Sequence, residues 1–83
     1  MKKRALLVIG RRIRALRERN NISQEEFAAQ AGLDRAYYGG VERGERNLAT
    51  LNLVKIATAL GVEVGELFPS IKELRHIANE GEK

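Results

Sequence analysis

"ISQEEFAAQAGLDRAYYGGVERGERN", residues 22–47, is the stretch whose reading decides the fold. It begins with Ser23-Gln24-Glu25-Glu26, a capping box in which the Ser23 hydroxyl and the Glu26 carboxylate satisfy each other's free backbone donors. The helix that follows buries Phe27, Ala28 and Ala31, and Gly32 stops it by supplying a left-handed residue. Asp34 is the natural N-cap of the next helix and Gly44 its stop. That second helix carries Gly39 and Gly40 side by side, although each glycine weakens a helix interior by about 0.8 to 1 kcal/mol relative to alanine.

The angular position of the pair bears on its purpose. At 100° per residue from Asp34, Tyr38 falls at about 40° and Val41 at about 340°, forming an apolar side. Ala36, Gly39, Gly40 and Arg43 fall at about 200°, 140°, 240° and 180°, so they share the opposite side. The expectation is a nearly bare outward face, rimmed by Arg35 and Arg43, that brings backbone close to another surface such as a DNA major groove. Packing of a glycine against another part of the protein is the alternative.

On either side of this pair the pattern stays helical, with apolar residues recurring at three and four and no sustained alternation. A first helix runs from about Lys3 to Arg19, with Leu6, Ile9, Ile13 and Leu16 on one side. A fourth spans about Ala49 or Thr50 to Leu60, ending at Gly61, and a short fifth covers about Val64 to Phe68 before Pro69. Ser70 to Glu73 repeats the capping box, which predicts a last helix carrying Ile71, Leu74 and Ile77 to near Asn79. The fold class is all-α, a compact bundle of five to six short helices. Residues 1–79 form one domain of DNA binding and dimerisation, and residues 80–83 a frayed tail.

With 83 residues and no cysteine, the chain has neither disulfides nor a thiolate zinc site to supplement a small core. Association with a second copy is one remaining aid. Its longest apolar run, Ala5 to Ile9, is too short for a membrane span, so the expected setting is soluble and cytoplasmic. The net charge of +4 is uneven: residues 1–19 hold eight basic residues against Glu18, while the remainder is net acidic. Such a basic segment suits an anionic partner, and an ordinary solvated basic helix is the plain alternative.

An enzyme is not expected. His76 is the only histidine, and Glu63 and Glu66 stand at exposed helical spacing with no partner base. No cofactor, metal or small-molecule ligand is implied.

Two helices joined at a glycine form a helix-turn-helix, and here the whole stretch resembles that of the Cro and phage-repressor superfamily, the xenobiotic-response-element type of bacterial regulator. Small Ala28, turn Gly32 and apolar Leu33, Tyr38 and Val41 sit at the superfamily's offsets. "GLDRAYYGGVERGERNLATLNLVKIATALGVEVGELF", residues 32–68, is similar to the controller proteins of restriction-modification systems. The resemblance covers about residues 8–68 and implies a lambda-repressor-like DNA-binding domain, with helices 2 and 3 as the motif.

Residue by residue, it implies that Gln24 binds DNA phosphate and that Arg35 reads a base, its fork suiting guanine O6 and N7. Tyr37, Arg43, Arg46 and Asn47 match DNA-contacting positions. Ala36 stands where relatives often carry a polar reader and offers only a methyl, and Gly39 replaces residues that often reach DNA. Arg17 and Glu42 match a buried ion pair tying helix 1 to helix 3. Ala49 stands where a Ser or Thr N-cap is usual, which costs helix 4 about 1 kcal/mol unless Thr50 takes over.

Helix 4 shows a second apolar face of Leu51, Val54 and Thr58 beside its core stripe. With Val64, Leu67 and Phe68 it makes a candidate two-fold dimer surface, in keeping with the resemblance, since controllers dimerise through helices 4 and 5. The alternative is that the last helix folds over this face through Ile71 and Leu74. A dimer of this motif sets its recognition helices about 34 Å apart and reads a pseudo-palindromic operator. Glu25 and Glu26 are a candidate acidic contact for RNA polymerase, or simple partners of the helix dipole. The competing function is an antitoxin or protein-interaction module built on the same fold.

Overall fold

The computed structural model describes the backbone of residues 2–81 and the side chains of residues 4–77. Its elements are α1 (Lys2–Arg19), α2 (Gln24–Ala31), α3 (Arg35–Glu42), α4 (Thr50–Leu60), a 3₁₀ turn (Val64–Leu67) and α5 (Ile71–Gly81). Helix α5 continues through Glu80 to Gly81, past the expected end near Asn79. The remainder of the expected tail, residues 82 and 83, lies outside the described residues.

Local chemistry sets most of these boundaries. Ser23 Oγ accepts from the Glu26 N–H at 3.1 Å, while Glu26 accepts from the Ser23 N–H at 3.3 Å. Gly32 ends α2 at φ 71°. Asp34 caps α3 by accepting from the Tyr37 N–H at 3.0 Å. At the far end Gly44 takes φ 75° and the Glu45 N–H reaches back to the Gly40 carbonyl at 2.8 Å, a Schellman closure. Ser70 and Glu73 repeat the reciprocal cap at the start of α5. Ala49 offers no side-chain cap to α4.

The helices close around Ile13, Phe27, Tyr38, Ile56 and Leu67, all fully buried, with Ile9, Ala28, Ala31, Val41, Ala57 and Leu60 completing the core. Each large apolar side chain here contributes roughly 1.5 to 3 kcal/mol by leaving water. The Phe27 and Tyr38 rings meet at 5.0 Å between centroids, which locks α2 to α3 inside the motif. Helix α1 lies against α3, α5 and the 3₁₀ turn, and α2 packs on both α3 and α4.

Leu67 departs from the expectation of a dimer-surface residue, because it is completely buried. The 3₁₀ turn rotates successive side chains by about 120° rather than 100°. That directs Leu67 inward while leaving Val64 and Phe68 half-buried.

Candidate nucleic-acid interface

The sequence places the start of α2 and the length of α3 side by side, and the fold joins them in one shallow concavity. Gln24, Arg35, Ala36, Gly39 and Arg43 line a hollow of about 250 Å³. Five residues expected at a DNA surface therefore share a single wall. Arg35 and Ala36 are exposed on the first turn of α3, the end that carries base-reading side chains in a helix-turn-helix.

Gly39 and Gly40 are not bare, contrary to the reading from helical angles. Both are buried. A Cβ built on Gly39 would lie 3.1 Å from Arg43 Nη1 and 3.4 Å from Gln24 Oε1, and one on Gly40 would lie 2.8 Å from Arg46 Cγ. The glycines face the expected side of the helix, but arginines from beyond its C-terminal end lie across them. The absence of two methyl groups lets Arg43 and Arg46 lie flat on α3.

Tyr37 and Asn47 stand outside the hollow. Tyr37 is half-buried against the core, and its hydroxyl donates to the Asn47 carbonyl at 3.1 Å. This bond ties the loop after α3 to the helix, and so restrains the segment that carries Arg46. Arg43 also pairs with Glu45 at 3.2 Å, an exposed contact that contributes little to stability.

A buried polar network supports the hollow from beneath. Arg17 Nε and Nη2 donate to the two Glu42 carboxylate oxygens at 2.6 and 3.0 Å, and Nη1 donates to the Ile22 carbonyl at 2.7 Å. Gln24 Nε2 donates to the same carboxylate at 2.9 Å. Arg17 and Glu42 are only 8% and 5% exposed, so the pair spans α1 and α3 in the protein interior. The buried Tyr38 hydroxyl faces it without a hydrogen bond of regular geometry.

Burial by itself would push the Glu42 pKa up; hydrogen bonding from Arg17, with Gln24 adding to it, outweighs this and holds the carboxyl below its ordinary value. The Glu42 hydrogen bond raises Arg17 in turn, against its own burial. Burial, with the neighbouring carboxylate adding, pushes the Tyr38 phenol well above its usual value. Gln24 consequently has one of its two amide N–H groups committed to Glu42.

Two further glycines escape a reading by periodicity. A Cβ on Gly10 would lie 2.5 and 2.6 Å from the Val41 and Glu42 carbonyl oxygens, and one on Gly44 would lie 2.7 Å from Leu7 Cα. These residues allow α1 to press directly on the end of α3. The usable signal is spacing, since Gly10 and Arg17 are seven apart and share a helix face.

Elsewhere, Leu51 is 74% and Val54 46% exposed on α4, while Thr58 spends its hydroxyl on the Val54 carbonyl at 2.7 Å. Helix α5 packs against α1 and leaves these side chains uncovered. His76 lies with Val8, Ser70, Lys72, Glu73 and Ile77 between α1 and α5. Among the described residues, no group of three His, Cys, Asp or Glu could hold a metal, and no helix is long and apolar enough to cross a membrane.

A hollow lined by Arg35 and Arg43 at the joint of two short helices, with the second helix locked to the first by a buried aromatic pair, is the architecture of a helix-turn-helix. The family model described as Helix-turn-helix matches residues 13–67, and the chain belongs to that family. It is a DNA-binding transcriptional regulator of the Cro/C1 type, close to the controller proteins of restriction-modification systems. Over 65 residues it is 46% identical to control protein C.MunI of Mycoplasma sp, covering 77% of this chain and 88% of that protein.

A hypothetical transcription factor of Neisseria meningitidis serogroup B is 40% identical over 76 residues, or 90% of this chain and 72% of that one. The crystal structure of the restriction-modification controller protein C.AhdI from Aeromonas hydrophila superposes with a TM-score of 0.74 at 52% identity, covering 76% of this chain and 96% of that chain. The family is one of regulators rather than enzymes.

Proposed function

We propose that this regulator acts as a homodimeric controller protein on a pseudo-palindromic operator, with α3 in the major groove. The hollow formed by Gln24, Arg35, Ala36, Gly39 and Arg43 carries the reading. Arg35 reads a guanine from the first turn of α3, and the Ala36 methyl is available to a thymine methyl. Gln24 holds a phosphate through its remaining N–H, beside the positive end of α2. Arg43, Arg46 and Asn47 hold the backbone at the other end of the recognition helix.

Exposed Leu51 and Val54, with Thr58, Val64 and Phe68 at their margins, supply the two-fold contact. An isologous patch of this kind sets two recognition helices about one DNA turn apart. Relatives that are restriction-modification controllers support a role as the controller of such a system. Glu26 is engaged in its cap, so Glu25 is the acid left to meet RNA polymerase.

Selection of bound duplexes from random DNA tests the reading. The expected product is a two-fold site with half-sites about 10 base pairs apart, centre to centre. Recovery of an asymmetric site would overturn the dimeric operator. Failure to enrich any site, together with purification in stoichiometric complex with another protein, would replace the regulator with an interaction module.

A further inference from the structure

Of the basic residues of α1, Arg17 is committed to Glu42 and none lines the hollow beside α3, and the family match begins only at residue 13. Leu7 is the point at which the earlier part of α1 meets the motif. Its backbone lies against Gly44, and Leu6 and Leu7 share a second hollow with Arg43, Gly44 and Glu45. Arg43 thus lines both hollows. Arg43 therefore links the hollow at the recognition helix to the one at the early turns of α1.

Arg4 and Arg11 stand three residues before and four residues after Leu7, which puts all three on one stripe of α1. Both arginines are exposed. The stripe adjoins the C-terminal end of α3 and not its first turn. In a helix-turn-helix the first turn meets base edges, so a basic stripe at the opposite end is placed for the sugar-phosphate backbone.

From this geometry we propose that Arg4 and Arg11 form a second backbone contact, gripping phosphates that flank each half-site. The occupant is duplex DNA, continuous with the surface that Arg43 already spans. The contact adds affinity without adding base preference, because phosphates carry no sequence information directly. It rests on the DNA-binding reading of the hollow beside it.

The test measures binding of the full chain to two duplexes across a salt series. Both carry a site selected from random DNA; one extends by about 10 base pairs beyond each half-site and the other stops at the half-sites. Arg4→Ala/Arg11→Ala is expected to lose about ten-fold or more on the extended duplex and to flatten its salt dependence by close to one unit of slope for each phosphate no longer held. On the trimmed duplex it should bind like the unchanged chain, and Arg4→Lys/Arg11→Lys should recover most of the loss. Unchanged affinity and slope on the extended duplex, or an equal loss on both duplexes, would overturn the proposal. If the unchanged chain binds neither duplex, the underlying reading of the hollow fails as well.

Discussion

Two pairs of glycines in this molecule have opposite surroundings. Gly10 and Gly44 lie in the seam between α1 and the end of α3, where an added methyl would strike backbone at 2.5 to 2.7 Å. Gly39 and Gly40 lie on the side of α3 proposed to face DNA, where the same methyl would meet the side chains of Arg43, Gln24 and Arg46. Backbone in a seam cannot retreat without unpacking two helices, whereas an arginine side chain can swing into solvent. The first pair therefore belongs to the fold and the second to the surface that the fold presents.

The largest expected effect breaks the seam at its polar end. Arg17→Ala strands the Glu42 carboxylate in the interior and should cost about 3 to 5 kcal/mol in urea unfolding. Gly10→Ala comes next. Its clash with two carbonyl oxygens should outweigh the gain in helix propensity and cost about 2 to 3 kcal/mol by the same measurement.

Acid titration of stability probes the same seam. Because the folded-state pKa of Glu42 is depressed, its contribution is fully present above the unfolded carboxylate value of about 4.3. It is lost as pH falls through the lower folded-state value. Glu42→Gln should remove that part of the acid dependence, and an unaltered profile would mean that the pair is not what acid breaks.

The smallest stability effect belongs to the other glycines. Gly39→Ala should leave stability unchanged or raise it by a few tenths to about 1 kcal/mol, since alanine favours the helix and narrows the unfolded ensemble. Its consequence should appear in DNA binding, where displacement of Arg43 weakens affinity.

Much of this division is legible in the sequence, though unevenly. Capping residues such as Ser23, Asp34 and Ser70 act through bonds to nearby backbone, so their spacing alone marks the helix starts. The helical angles also set Gly39 and Gly40 opposite Tyr38. They place Arg43 on that same side, but do not show that Arg46 folds back over it, because that part of the cover depends on the path of the loop after Gly44. Nearness in sequence groups Leu67 with Val64 and Phe68 on the dimer surface, and it is the 3₁₀ turn that sends Leu67 inward instead. Gly10 gains its neighbour only from the crossing of α1 over α3, which the sequence marks through the Arg17–Glu42 pair and the face that Gly10 shares with Arg17.

The proposed role of Gly39 is to seat Arg43, and that of Gly40 to seat Arg46, for DNA rather than for the fold. Parallel measurement of thermal stability and affinity for the selected duplex in Gly39→Ala, where the added methyl meets only the far end of Arg43 and the Gln24 amide, tests this most directly. The expected result is a melting temperature equal to or above that of the unchanged chain, with affinity reduced about ten-fold or more, or roughly 1.4 kcal/mol. Full affinity, or a loss of affinity only in step with a loss of stability, would contradict it.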